Sequence, residues 1–342
     1  MTYIADIDSL VTDNGVQVGH YRAVAALYTR VFGKNCHVAG GPVYADCPDF
    51  LRLPFCAKRN GSRLVNKIKN LANLFTLFAK TGRSDEIVFQ SQAPSIILLG
   101  IILFANKQRV YMIYYEKLAG RVRRYLWRIA KRKIAGVICP NEGVGESYGA
   151  RYQVVTDYIY DPVNQSNLGE AKYKYMFATV GILSKDKGVF EAIEKIGPSG
   201  YSYLVAGRAV NDEDRKRLEE LARPFPNIEL KIGFVLDEDY ARYIRESRCG
   251  LLNYSDAYSN HSSGVIFDFL FKGRPIFGRR CETLKLIEAH GLGVVYDDLK
   301  TVDIDEAVGR LMSKETEASI EKYLSLNAAQ GESLKEFIKG DQ

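Results

Sequence analysis

Short apolar runs alternate with longer amphipathic stretches along the whole chain. Runs that fit strands in the first half are Tyr3–Ile7, Ile87–Gln90, Val110–Tyr114, Gly136–Cys139 and Val154–Tyr158. In the second half they are Tyr175–Val180, Ser202–Ala206, Ile228–Ile232, Gly250–Asn253, Pro275–Phe277 and Gly293–Tyr296. Between them the spacing predicts helices over 17–32, 62–80, 95–106, 117–134, 188–196, 211–222, 237–246, 262–272, 282–290 and 303–313. Strand and helix in alternation imply an α/β protein with parallel sheets covered on both faces. At 342 residues the chain is long for one core and suggests two domains of roughly 150 residues. The polar stretch from Asp161 to Glu170 reads as a linker between doubly wound halves over 1–160 and 170–314. The charged segment 315–342 predicts a terminal helix that could cross back to the first half.

Two of the helices carry an unusual complement of residues. In 62–80, Leu64, Ile68, Leu71, Phe75 and Phe78 form one stripe, which Val65, Leu74 and Leu77 widen. In 117–134, Leu118, Val122, Tyr125 and Ile129 recur at helical spacing, while Arg121, Arg123, Arg124, Arg128, Lys131 and Arg132 fill much of the rest. Between Ala57 and Lys133 there are 17 Lys and Arg against Asp85, Glu86 and Glu116, a local net of +14. The whole chain is +6, so the remainder is near −8. Such asymmetry points the first half at an anionic partner. A solvated helix face fits one such stretch; two in one domain favour docking on an anionic membrane surface. Nucleic acid is disfavoured, because no zinc-finger spacing, RNP-like aromatic motif or helix-turn-helix pattern occurs.

The longest apolar run, Ile96–Ala105, is half of the ~20 residues that a spanning helix needs. The N-terminal stretch Met1–Asp13 is acidic and lacks the layout of a secretory signal. Six scattered cysteines without a CxxC read as reduced thiols. These features suggest a cytoplasmic protein held peripherally at the inner face of the membrane.

Most signatures of enzyme chemistry are absent. There is no P-loop, no GxGxxG after the first strand, no HExxH and no GxSxG. The histidines His20, His37, His261 and His290 are isolated, so no protein-held metal is expected. Three loops stand out. Asp13-Asn-Gly-Val-Gln-Val-Gly-His20 follows the first strand and lets backbone approach a ligand, although a plain turn fits it equally. Val180-Gly-Ile-Leu-Ser-Lys-Asp-Lys-Gly188 puts Lys187 at the carboxyl edge of a sheet, where open α/β folds bind ligands. An exposed lysine fits the same pattern. Tyr258-Ser-Asn-His-Ser-Ser-Gly-Val-Ile-Phe-Asp268 opens a helix with Ser262, Ser263 and Gly264. Asp268 lies one turn further on, inside an otherwise apolar stretch that a simple Ser N-cap leaves unexplained.

Taken together these stretches resemble the donor domain of GT-B fold glycosyltransferases, close to the large retaining family 4 of bacterial polysaccharide and glycolipid type. The family reads VGRLSPEKG, a strand ending in a small-residue loop, Gly-Phe/Tyr-Val, a helix framed by two glutamates and a Gly-x-Pro-Val strand. Its counterparts here are Val180–Gly188, Leu204–Arg208, Gly233–Val235, Asn260–Asp268 and Gly273–Ile276, in the same order along the second half. The first half resembles the acceptor domain through its glycine loop and Ile113-Tyr-Tyr-Glu116.

The resemblance implies two Rossmann-like domains facing a cleft. It also implies transfer of a sugar from a nucleotide-sugar donor to a glycan or lipid-diphosphate-linked acceptor, in cell-surface polysaccharide biosynthesis. The transfer is expected to be retaining, metal-independent and free of any cofactor beyond that co-substrate. Lys187 is expected to neutralise the diphosphate, and Gly233, Phe234 and Val235 to bracket the base. Ser262, Ser263, Gly264 and Val265 would hold phosphates and Asp268 the ribose, with Asn260 and His261 facing the sugar. Gly15 and Val16 would close over the diphosphate from the opposite domain. Ile182 stands where the family has an arginine, for which Arg208 is a substitute; Asn260 and Asp268 replace the two glutamates. Should the reaction invert, Glu116 and His20 are the candidate bases. A nucleotide-sugar epimerase or hydrolase of the same fold, or a catalytically degenerate nucleotide-binding protein, are the alternatives.

Overall fold

The computed structural model describes residues 1–11, 19–47, 49–58, 60–90, 94–156, 158–161, 172–258 and 263–340, with backbone alone at 19, 20 and 257. The chain forms two compact units, Met1–Ile159 with Ala329–Gln342, and Tyr160–Ala328.

The first unit is built on a parallel sheet of seven strands: β1 (Thr2–Ala5), β2 (Cys36–Gly40), β3 (Leu51–Arg52), β4 (Glu86–Phe89), β5 (Arg109–Ile113), β6 (Ile134–Cys139) and β7 (Tyr152–Val154). Their order is β3-β2-β1-β4-β5-β6-β7. Ile4 therefore sits between Val38 and Val88, and the order reverses at β1 and β4. One face packs on α1 (Gly19–Phe32), through Val24, Leu27 and Tyr28. The other packs on α2 (Arg63–Lys80), α3 (Pro94–Phe104), α4 (Arg121–Ala130) and α5 (Glu142–Tyr148).

The second unit has six parallel strands: β8 (Tyr175–Leu183), β9 (Tyr203–Ala209), β10 (Ile228–Ile232), β11 (Ser247–Leu252), β12 (Ile276–Arg279) and β13 (Gly293–Tyr296). They are ordered β10-β9-β8-β11-β12-β13, so the switch point lies between β8 and β11. Its helices are α6 (Val189–Ile196), α7 (Asp212–Ala222), α8 (Asp237–Arg245), α9 (Gly264–Leu270), α10 (Lys285–His290) and α11 (Ile304–Leu311). Residues 175–180 of β8 are buried throughout, as a strand covered on both faces must be. The Thr179 hydroxyl donates to the Leu251 carbonyl at 2.7 Å and pairs with the Tyr203 hydroxyl at 2.7 Å.

The final helix, α12 (Lys314–Lys339), belongs to both units. The sequence pattern sets it apart as a third segment from residue 315, but its first half packs as part of the second unit. Its last turns bury Leu334, Phe337 and Ile338 in the α1 face of the first. A Cβ on Gly136 would stand 2.4 Å from the Phe337 ring, so that strand position must stay bare.

Three elements have no counterpart in the hydrophobic pattern. These are β2, interrupted by His37, the two-residue β3, and α5, whose sequence Glu-Gly-Val-Gly-Glu-Ser-Tyr is poor in helix formers. The predicted strand 154–158 lies earlier, at Tyr152–Val154, and the predicted helix 117–134 starts only at Arg121, because Gly120 has φ +80°. The expected stripe of α2 also divides. Leu74, Leu77 and Phe78 are buried with Asn70 and Asn73, whereas Leu64, Ile68 and Phe75 are exposed. Asn73 explains the inversion: its amide donates to the Ile7 and Phe55 carbonyls and accepts from the Phe55 N–H, tying that polar face to the sheet. Among the described residues no helix is long and apolar enough to cross a membrane.

Candidate functional site

The carboxyl edge of the second sheet is kept open by glycine. Gly181 on β8 and Gly207 on β9 are register partners, and the N–H of Gly233, just past β10, donates to the Gly207 carbonyl at 2.8 Å. Gly207 has φ +148°, and a Cβ there would lie 1.7 Å from the Gly181 carbonyl oxygen. No other residue fits. The edge therefore presents backbone rather than side chains where three adjacent strands end.

Lys187 stands directly above this edge. Ser184 to Gly188 form a short 3-10 turn, and Gly188, at φ +61°, turns the chain into α6. A Cβ on Gly188 would meet the Asn253 carbonyl at 2.0 Å, which locks this loop against the end of β11. The Asn253 amide donates to the Gly188 carbonyl, and Ser255 N–H donates to the Asp186 carbonyl. The Lys187 ammonium, half-buried, lies 5.6 Å from the centre of the Tyr258 ring. Among the described residues no carboxylate pairs with it. Withdrawal from water alone pushes its pKa down to about 8.

Across the switch point, Ser263, Gly264 and Val265 begin α9. The Ser263 hydroxyl is turned inward and shares a 2.7 Å hydrogen bond with Tyr254, whose ring packs 4.4 Å from that of Tyr258. One turn on, Asp268 accepts from the Tyr240 hydroxyl at 2.7 Å. Burial pushes its carboxyl up to about 6, against the opposing effects of that hydrogen bond and of Lys272.

The remaining sequence candidates divide between the two units. Arg208 is exposed and is the register partner of Ile182, so its side chain springs from the neighbouring strand beside that residue. Phe234 is 82% exposed in the loop after β10, next to the half-buried Val235. Glu116 is exposed on the loop after β5 in the first unit, where its carbonyl accepts from Tyr148. Gly15, Val16, Asn260, His261, Ser262 and the side chain of His20 lie outside the described residues. Among the described residues no three His, Cys, Asp or Glu side chains gather as a metal-ligand set.

Sequence reasoning missed Tyr240, Tyr254 and Tyr258, which shape the surroundings of Asp268 and Lys187. It also missed the brace at the end of β1 in the first unit. Asp6, fully buried at the end of β1, accepts from the Ser9 N–H at 2.8 Å and the Tyr44 hydroxyl at 2.6 Å. Ser9 in turn accepts from the Gly41 N–H at 2.7 Å and is held at φ +36°. An acidic residue closing the apolar strand Tyr-Ile-Ala was the available signal.

A second surface, wholly within the first unit, is formed by α2, α3 and α4, which pack side by side. It exposes Leu64 (68%), Ile68 and Phe75 from α2, Leu103 from α3, and Val122 (67%), Tyr125 and Ile129 from α4. The apolar stripe of α4 therefore faces water, and Trp127 with Ala130 makes its core contact instead. Arg63, Lys67, Arg121, Arg124 and Arg128 are interleaved, and among the described residues none of them pairs with a carboxylate.

Two doubly wound parallel units of seven and six strands, the second with an open carboxyl edge, give this chain the GT-B fold. No protein-family model and no curated protein matches its sequence. Solved structures match its fold. An α,α-trehalose-phosphate synthase (UDP-forming) from Burkholderia xenovorans, in complex with glucose-6-phosphate, is similar with a TM-score of 0.71 at 10% identity over 99% of both chains. The E. coli trehalose-6-phosphate protein bound with UDP-2-fluoro glucose is similar with a TM-score of 0.68 at 10% identity, again over 99% of both chains. AviGT4, a glycosyltransferase involved in avilamycin A biosynthesis, is similar with a TM-score of 0.60 at 12% identity over 99% of this chain and 98% of its own.

Proposed function

We propose that the protein is a glycosyltransferase. It moves a sugar from a nucleotide-sugar donor to a glycan or lipid-diphosphate-linked acceptor at an anionic membrane face, in the assembly of cell-surface polysaccharide. The observation that carries this reading is Lys187. Its half-buried ammonium has no carboxylate partner among the described residues and stands over a glycine-lined strand edge. Breaking a bond between sugar and diphosphate leaves negative charge on the departing group. A desolvated cation fixed there stabilises that charge more than a solvated one could. Asp268 would accept from ribose hydroxyls, the backbone at Gly233–Val235 would meet the base, and Arg208 would add a second positive charge beside Ile182. The fold-mates bound with UDP-2-fluoro glucose and with glucose-6-phosphate fit this class of chemistry.

Transfer is taken to be retaining and independent of metal, with the leaving-group oxygen assisting deprotonation of the acceptor. The test is a thermal-shift screen against UDP, GDP, dTDP, ADP and their sugars, since a ligand selective for the folded state raises the midpoint. At least one nucleotide should do so, and Lys187→Ala and Asp268→Ala should each diminish the shift in step with a loss of affinity of at least tenfold. Near-wild-type affinity in both variants would remove the site assignment. The anomeric configuration of the product decides between retention and inversion, and activity should survive EDTA.

The membrane part of the reading rests on the α2–α3–α4 surface, where exposed apolar side chains alternate with arginine and lysine that have no carboxylate partner among the described residues. Such a face suits the boundary between anionic head groups and acyl chains. Binding to anionic vesicles should weaken as salt rises. Indifference to such vesicles at low salt would end this part of the reading.

A further inference from the structure

The amino edge of the second sheet gathers positive charge. Arg248 is the second residue of β11, Arg274 lies two residues before β12, and Tyr173 lies two residues before β8; these three strands are neighbours. Arg245 ends α8, and Lys272 follows α9. Strands of a parallel sheet all start at one edge. The group therefore stands at the opposite end of the sheet from Lys187, which follows the carboxyl end of β8.

Tyr173 and the backbone hold two of these cations in place. The guanidinium of Arg248 lies 4.4 Å from the centre of the Tyr173 ring, and that of Arg274 lies 4.7 Å from it. Arg274 also donates to the Tyr173 hydroxyl at 2.6 Å and to the Arg245 carbonyl at 3.4 Å, and Arg248 donates to the Met312 sulfur at 3.8 Å. All of these partners are neutral. The cations feel one another as like charges. Burial pushes the Lys272 ammonium down in pKa, and Arg245 and Arg274 add to that against the pull of Asp268. Burial likewise lowers Arg274, and Arg248 adds to that against Tyr173. Carboxylates nearby are engaged elsewhere. Glu229 pairs with Lys174 at 2.8 Å and Lys231 at 2.9 Å, Glu246 faces Arg242 at 4.0 Å, and Asp268 accepts from Tyr240. Among the described residues no carboxylate forms an ion pair with Arg245, Arg248, Lys272 or Arg274.

Uncompensated charge of one sign at one place favours an anion. The residue types narrow the choice. Guanidinium forks match oxyanions, and Arg245 and Arg248 are both exposed and able to donate. A carboxylate brings a single negative charge to four positive ones. A phosphomonoester brings about −1.5 to −2 and three acceptor oxygens. Arg274, half-buried with its Nη atoms already engaged, contributes its charge from behind. We propose that Arg245, Arg248, Lys272 and Arg274 form a phosphate-binding site, separate from the nucleotide-sugar site, for a phosphate group that is either free or carried on a lipid head group.

The test uses the full chain without nucleotide. Backbone amide resonances are followed by NMR during titration with inorganic phosphate and with pyrophosphate, and sodium chloride at matched ionic strength is titrated in parallel. Co-sedimentation with phosphatidylcholine vesicles, with and without phosphatidic acid, forms the lipid arm. Free phosphate or pyrophosphate should shift the resonances of Tyr173, Arg248 and Lys272 at concentrations where chloride does not. Arg245→Gln and Arg248→Gln should each weaken that binding by about tenfold, the loss expected for one hydrogen bond to a charged group. Both residues are exposed, so each variant should keep Tm in phosphate-free buffer within about 2 °C of the wild type, which separates lost binding from lost folding. Lys187→Ala should leave the affinity within twofold, so failure here is distinct from failure of the nucleotide-sugar reading. If free phosphate has no effect but both variants lose about tenfold in binding to phosphatidic acid vesicles, the phosphate is that of a lipid. If chloride shifts the same resonances equally, if neither arm engages these residues, or if both variants bind as the wild type does, the proposal is overturned.

Discussion

Helices α6 and α4 show the same apolar periodicity and use it in opposite ways. In α6 the whole stripe of Val189, Phe190, Ala192, Ile193 and Ile196 is buried against the sheet of the second unit. In α4 the stripe of Val122, Tyr125 and Ile129 faces water, while Trp127, whose indole N–H donates to the Tyr148 carbonyl at 2.9 Å, makes the core contact. The residues filling the other face differ too. Those of α6 are Glu191, Glu194 and Lys195, of mixed sign, and those of α4 are uniformly arginine. Period identifies which side chains share a face of a helix. It does not say whether that face meets the core or a partner. A stripe embedded in charge of a single sign is the one to suspect of a partner.

Mutations should sharpen the contrast. Phe190→Ala in α6 leaves a cavity in the core and should cost about 3–5 kcal/mol by denaturant titration. Lys187→Ala should leave stability nearly unchanged. It should weaken nucleotide-sugar binding by at least tenfold, in line with the roughly 1.5–3 kcal/mol of a charged hydrogen bond. That loss should have a pH signature in the wild type. Asp268 is pushed up to about 6 and Lys187 down to about 8. Below the first value the carboxyl gains its proton and can no longer accept from two hydroxyls; above the second the ammonium becomes neutral. Affinity for a nucleotide sugar, whose diphosphate diester does not titrate in this range, should therefore be greatest between them and fall on both sides. Lys187→Ala should flatten the alkaline limb and leave the acid limb. On the other side of the comparison, Arg124→Gln should reduce binding to anionic vesicles by about 1 kcal/mol, read by co-sedimentation. Smallest of all, Val122→Ser should move stability by no more than about 0.5 kcal/mol. A large stability loss there would show the α4 stripe to be core after all.

Much of the second unit was legible in advance because its strands are apolar runs of ordinary length bounded by glycine and polar loops. Every predicted strand there reappears within a few residues. The Lys187 loop was legible because a strand-to-helix turn has a fixed place at a sheet edge. The pairing of Tyr240 with Asp268 was not, since it joins side chains 28 residues apart on helices α8 and α9. The same is true of Tyr254 with Ser263, where nothing in the spacing shows that the hydroxyl turns inward. In the first unit, β3 has two residues and no period to detect, and Asn73 reverses the expected face of α2 through contacts with residues 7 and 55. Local pattern specifies elements; long-range hydrogen bonds decide which of their faces is used.

The shared helix α12 sets an order on assembly. The Asn327 side chain accepts from the Tyr160 N–H at 2.5 Å, and that of Gln330 from the Thr156 N–H at 2.9 Å, so one helix grips the connecting strand of chain on either side of the boundary. Beyond it, Leu334, Phe337 and Ile338 complete the α1 face. The amino-terminal unit is thus synthesised first but cannot seal its core until translation has passed Ile338. Until then Tyr28, Val88 and Tyr111 lack their cover, and a nascent chain halted at Ala328 would carry a finished second unit beside an unfinished first.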